Sequence, residues 1–163
     1  MTDIIGNSNF IYGTREAYFT TGKIVIELMN LLDFSCLIIG HREFYFGFHE
    51  LKNLSELADF PFVSANLVNR DSSGIDFVRP YVILKDGKSA VIGISTGKVI
   101  KANLEKDVSS VLVLDPADAV SKYIGELKKS GRNEYYCCRR FRLRRKLGIE
   151  SYQYRDGQTV LAG

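Results

Sequence analysis

The chain has 163 residues, 45% hydrophobic and 25% charged, enough for one domain with a buried core and inconsistent with a disordered chain or a disulfide miniprotein. No run approaches the roughly 18 apolar residues that a membrane-spanning helix needs. The formal net charge is +3, but its source is local: Arg132, Arg139, Arg140, Arg142, Arg144, Arg145 and Lys146 face only Glu134, so the remainder of the chain is net acidic. The first residues, Met1-Thr2-Asp3-Ile4-Ile5-Gly6, lack the basic-then-apolar order of a secretory leader.

In chain order, Thr20 or Thr21 can cap a helix to about Leu32, with Ile24, Val25, Leu28 and Leu32 as its apolar stripe and Glu27 pointing away. Phe34 to Ile39 reads as a buried strand delivering Gly40-His41-Arg42-Glu43 at its C-terminal end. A second helix carries Phe48, Leu51, Leu54 and Leu57, and Phe62 to Leu67 reads as another strand. Tyr81 to Leu84 and Ala90 to Ile94 flank Asp86-Gly87, a pair that tolerates positive φ, which predicts a β-hairpin. After a strand at Val111 to Leu114, Asp115-Pro116 opens a third helix, with Val120, Ile124 and Leu127 inward and Gly131 at its end. Strands alternating with helices around one hairpin predict an α/β layered fold with a mixed sheet.

Cys36, Cys137 and Cys138 are too few and wrongly spaced for a disulfide framework or a zinc site, and Cys36 reads as a small core residue. His49 reads as the exposed start of a helix, and Asn66 as a turn residue bonded to its own backbone. Phe44-Tyr45-Phe46 can stack on a base, although packing is the commoner use of such a run.

Several segments share an order with one family. Asp3 to Ser8, the helix from Gly22 to Leu32, Gly40-His41-Arg42-Glu43-Phe44, Phe60-Pro61-Phe62-Val63-Ser64-Ala65-Asn66, Pro80 to Gly87, Val91 to Ile94 and Asp115-Pro116-Ala117 together resemble the 5′-nucleotidases, calcineurin-like metallophosphoesterases, over about residues 1 to 131. The resemblance implies a truncated, diverged N-terminal catalytic domain: part of a four-layer α/β/β/α sandwich. Residues 132 to 163 form a basic, divergent C-terminal segment. It also implies a divalent metal pair (Mn, Zn or Mg) at the ends of strands, hydrolysis of nucleotide phosphate esters by a metal-activated water, and relatives that are often exported.

Ligand matching is incomplete. The family's opening DxH motif falls upstream of Met1. Asp3 matches the bridging aspartate of the GD motif, with Thr2 in place of the glycine. In the GNHE motif His41 stands for the metal-binding asparagine and Arg42 for the catalytic histidine. The resemblance thus assigns metal binding to Asp3 and His41 and phosphate contact to Arg42, a guanidinium that cannot donate a proton near neutral pH. His41 and His49 are the only histidines, so a standard two-metal site is not expected and the metal can have been lost.

The expectation is a 5′-nucleotidase-like phosphoesterase, weak or inactive as an isolated chain, whose ligand is a nucleotide or other phosphate ester. The alternative is a non-catalytic pseudoenzyme or assembly module that binds a second copy or a missing half-domain through exposed sheet edges. For residues 132 to 163 a shifted reading frame is the favoured reading, against a solvent-facing element or a basic arm. Neither nucleic acid nor membrane is an expected partner.

Overall fold

The computed structural model describes residues 3–102, 109–132, 134–138, 152–155 and 158–161. Strand β1 (Ile4–Asn7) precedes two helices, α1 (Arg15–Phe19) and α2 (Lys23–Leu31). Then come β2 (Phe34–Ile38), α3 (Phe48–Leu57), β3 (Phe62–Val63) and β4 (Leu67–Asn69). Only Pro80 separates β5 (Val78–Arg79) from β6 (Tyr81–Ile83), and β7 (Ser89–Gly93) follows. Next are α4 (Lys98–Ala102), β8 (Val111–Val113) and α5 (Pro116–Lys129), and the last strands are β9 (Glu134–Cys138), β10 (Tyr152–Arg155) and β11 (Gln158–Leu161). The basic run from Arg139 to Lys146 lies outside the described residues.

Two sheets make the frame. One is parallel, in the order β1-β2-β3-β5; the other is mixed, in the order β10-β11-β9-β7-β6, and β4 pairs with β8 in a short ladder. Alternation along the strands sorts the side chains into layers. Cys36 and Ile38 of β2, Val63 of β3 and Val91 of β7 form one core between the sheets. Leu37, Ile39 and Phe62 turn the other way, onto Ile26 and Met29 of α2 and Leu51 and Leu54 of α3. Ala90, Ile92 and Ile94 meet Val120 and Leu127 of α5. Helices thus cover both outer faces of a two-sheet sandwich, the expected four-layer arrangement, and Cys36 is buried between the sheets.

The predicted hairpin is present: β6 and β7 pair antiparallel around a turn with Gly87 at φ 70°. Asp86 closes that turn by accepting the backbone N–H groups of Lys88 and Ser89 (both 2.8 Å) and the Ser89 hydroxyl. These bonds, the Ser89 hydroxyl first, hold its carboxyl below the usual range. Asp115 caps α5, its Oδ1 accepting from Ala117 (2.8 Å) and Asp118 (3.3 Å), with Pro116 in the first turn where a missing N–H costs nothing.

Three expectations about the helices and strands need correction. The cap of α2 is Gly22, at φ 92°, because Thr20 ends the preceding helix α1. The buried face of α2 is Ile26 and Met29, not the Leu28 and Leu32 stripe; Leu28, Leu31 and Leu32 are exposed. The single strand expected from Phe62 to Leu67 is two strands in different sheets, because Ser64 to Asn66 bridge the sandwich: Ser64 N–H donates to Arg79 O in one sheet and Ala65 N–H to Gly93 O in the other. The first described strand of the basic C-terminal segment lies in the second sheet, where β9 pairs in parallel with β7 from Ser89↔Glu134 to Gly93↔Cys138.

Asn66 is not a surface turn residue but the fully buried centre of a network. Its Nδ2 donates to Ser95 O and Leu114 O (both 3.0 Å), and its Oδ1 accepts Ser95 N–H (2.8 Å). Ser95 Oγ donates to Ile39 O (2.8 Å), which leaves Ser64 Oγ as donor to Ser95 Oγ (2.8 Å). The C-terminal ends of β2, β3, β7 and β8 are thereby tied to one side chain. Nearby, Gly93 is required by close approach: a Cβ there would sit 2.5 Å from Val63 O.

Two substitutions test this frame by urea unfolding. Asn66→Asp keeps the shape but loses both Nδ2 donors, and should cost about 3 kcal/mol or more. Gly93→Ala forces the backbone of β3 away from β7 and should cost about 1–3 kcal/mol. A change below about 0.5 kcal/mol in either, the range of an ordinary surface substitution, would contradict the corresponding contact.

Candidate functional site

The parallel strands point their C-terminal ends the same way, and the loops that leave them meet there, the usual location of a ligand site in such sheets. β1 ends at Asn7, and Ser8 N–H still bonds Ile38 O (3.1 Å) before the chain turns away through Ser8 (φ 46°) and Asn9 (φ 64°). β2 ends in Gly40-His41-Arg42-Glu43, and Gly40 allows the first loop to pass closely, since a Cβ there would lie 2.6 Å from Ser8 Cβ.

Glu43 fastens these two loops together. Its buried carboxylate accepts Phe10 N–H at Oε1 (2.7 Å) and Gly40 N–H at Oε2 (2.8 Å). Burial raises its pKa, opposed by backbone N–H groups of Asn9, Gly40, Phe10 and Glu43 itself. A further bond runs from Arg42 N–H to Asn9 Oδ1 (3.4 Å). Glu43 therefore holds the turn rather than pairing with Arg42, whose side chain is exposed.

His41 is half-buried at the mouth of this turn. Burial lowers its pKa from the usual value near 6.5, and the positive charges of Arg42 and Lys98 push it the same way. Lys98 follows β7, whose end is tied to β2 through the Ser95 hydroxyl on Ile39 O. His41 and Arg42, on the loop after β2, and Lys98, at the start of α4 beyond β7, thus form a cationic cluster.

Asp3 lies elsewhere. It precedes β1, whose Ile4 pairs with Phe34 at the start of β2, whereas His41 follows the end of β2. About 3.3 Å per residue separates these levels by roughly 20 Å, so Asp3 and His41 cannot share a cation. Asp3 instead accepts from Ser35 Oγ (2.6 Å) and, at 3.5 Å, from Lys85 N–H. The strand-end position preceded by glycine is Gly6-Asn7, four residues along. The sequence reading anchored on the only nearby acid and so missed Asn7, Ser8 and Asn9; the apolar Ile4-Ile5-Gly6 run ending in small polar residues was the available signal. It also missed Lys98, which only the bond between strand ends brings near His41. His49 is exposed on α3, as expected.

The donor set does not fit a divalent metal pair. The strand-end loops offer one imidazole and the carboxamides of Asn7 and Asn9, with Arg42 and Lys98 adding positive charge where a dication would need anionic ligands. Among the described residues no three His, Cys, Asp or Glu side chains come together to hold a metal. The same charges suit an anion, with the Arg42 fork able to bond two oxygens of a phosphate or carboxylate.

No family model matches the chain. It is 32% identical over 152 residues to the 2′,3′-cyclic-nucleotide 2′-phosphodiesterase/3′-nucleotidase of Yersinia enterocolitica, covering 80% of this chain and 23% of that protein. It is 32% identical over 119 residues to the 5′-nucleotidase of Vibrio cholerae, covering 72% of this chain and 21% of that one. The chain thus spans under a quarter of the length of these curated relatives. The calcineurin-like phosphoesterase YfkN of Bacillus subtilis shares the fold, with a TM-score of 0.70 at 21% identity over 82% of this chain and 46% of that one. Likeness along most of the sequence and a common layered frame lead to one conclusion: the chain has the fold of a calcineurin-like phosphoesterase, belongs to the 5′-nucleotidase family and covers part of its N-terminal domain.

Proposed function

We propose that this chain binds the phosphate group of nucleotide esters, as part of a 5′-nucleotidase-like phosphoesterase, and that by itself it hydrolyses them feebly or not at all. The observation that carries this reading is the cationic cluster of His41, Arg42 and Lys98 on the segments that follow β2 and β7. In it Arg42 takes phosphate oxygens with its fork and Lys98 adds a point charge. His41 adds an imidazole whose pKa is lowered by burial and by the charges of Arg42 and Lys98. A divalent cation would supply an activated water and charge neutralisation in the family's reaction, but the donors described here do not favour a pair of them.

Calorimetric titration with inorganic phosphate and with AMP, in EDTA, tests the reading. Both should bind without metal, and Arg42→Ala should weaken both by about tenfold or more, as expected for losing a charge-assisted bond. Phosphate release from AMP with added manganese should stay near the buffer level. Binding that appears only with manganese, or rapid turnover, would overturn the proposal.

A second reading, the assembly module, is favoured by one observation: among the described residues β1 is an outer strand of the parallel sheet, and Ile4 on it is exposed. Sedimentation velocity distinguishes it, since a concentration-dependent species larger than one chain supports edge pairing and a monomer at all concentrations opposes it.

A further inference from the structure

Beside the cationic cluster the two fastened loops carry a pair of stacked aromatic rings. Tyr12 and Tyr45 lie with centroids 3.7 Å apart and planes 16° from parallel. Their immediate neighbours Ile11 and Phe44 are fully buried in the core, whereas both tyrosines are only half-buried. Packing alone is therefore already served by Ile11 and Phe44. Phe46 meets both tyrosine rings edge-on, at 6.1 Å and 76° to Tyr12 and 5.2 Å and 88° to Tyr45, which braces the pair from the side.

The pair is also joined covalently and by hydrogen bonds to the phosphate-contact residue. Tyr45 N–H bonds Arg42 O (3.0 Å), so the guanidinium and the ring leave opposite ends of one turn. On the facing loop Asn9 holds Arg42 N–H and Glu43 holds Phe10 N–H, which fixes Tyr12 three residues from the first of these contacts. The hydroxyls of Tyr12 and Tyr45 interact, and that bond raises the Tyr45 pKa, so the phenol stays neutral. A rigid, uncharged, partly exposed π-surface next to a cationic anchor has the complementarity of an anion linked to a flat aromatic ring.

We propose that the Tyr12–Tyr45 pair is a stacking platform for the base of a nucleotide whose phosphate sits at His41, Arg42 and Lys98. The proposal rests on the phosphate-binding reading above and adds the base contact to it. Stacking on an aromatic side chain tolerates any base, so the preference is for a base over none rather than for one base over another.

The test compares AMP with ribose 5-phosphate, which keeps the sugar phosphate and lacks the base, by calorimetry on the full chain. AMP should bind roughly tenfold tighter or more. Tyr45→Leu, which keeps apolar bulk and removes the π-face, should bring that ratio close to one, and Tyr45→Phe should restore it. Tyr12→Leu should lower the ratio independently, which keeps the test decisive if one leucine variant unfolds by circular dichroism. Equal binding of the two ligands to the unmodified chain, or an unchanged ratio in folded Tyr45→Leu, would overturn the platform while leaving phosphate binding intact. Failure of both ligands to bind would overturn the phosphate reading and the platform with it.

Discussion

The frame depends on one buried carboxamide. Asn66 sits where four strands end, and its side chain serves three partner atoms in two segments that are 29 and 48 residues away in sequence. In water such a group satisfies itself; inside the sandwich each missing partner would leave an uncompensated donor or acceptor. Here its donors and its acceptor all find partners, as does the adjoining pair of serine hydroxyls. A satisfied network of this kind fixes geometry more sharply than apolar contacts, which tolerate sliding. The loops that carry His41, Arg42 and Lys98 leave from strand ends whose relative position this network sets.

Much of the fold was legible because local and global preferences agree. The Asp86-Gly87 turn lies between β-branched runs, and Asp115-Pro116 caps a helix with a regular apolar stripe. Where the sequence misled, a long-range partner had overruled the local pattern. Periodicity cannot choose between two apolar stripes on one helix, and the surface of β1 and β2 selected Ile26 and Met29 over Leu28 and Leu32. Phe62 to Leu67 is uniformly apolar or small, yet it changes sheets midway because Ala65 N–H reaches Gly93 O.

The site was legible only in part, and for a related reason. His41 and Arg42 follow a recognisable strand, so their location could be read directly. Asp3 drew attention as the nearest carboxylate, yet strand register decides which end of a sheet a residue occupies, and that register depends on pairing with β2. Lys98 is distant in sequence from His41 and joins the cluster through Ser95 and Ile39. The resulting surroundings are cationic, the opposite of the anionic donors that a dication needs.

Strand β9 has a consequence for how the polypeptide can be divided. It lies between β7 and β11, and every residue of β7 is buried. Cutting the chain after Gly131 would strip the inner ladder from β7, and the Ala90-Val91-Ile92 backbone would become an open, flat template for intermolecular pairing. The residues past α5, however unlike the rest in composition, begin by shielding the hydrophobic centre, so a fragment ending with that helix would be prone to precipitate.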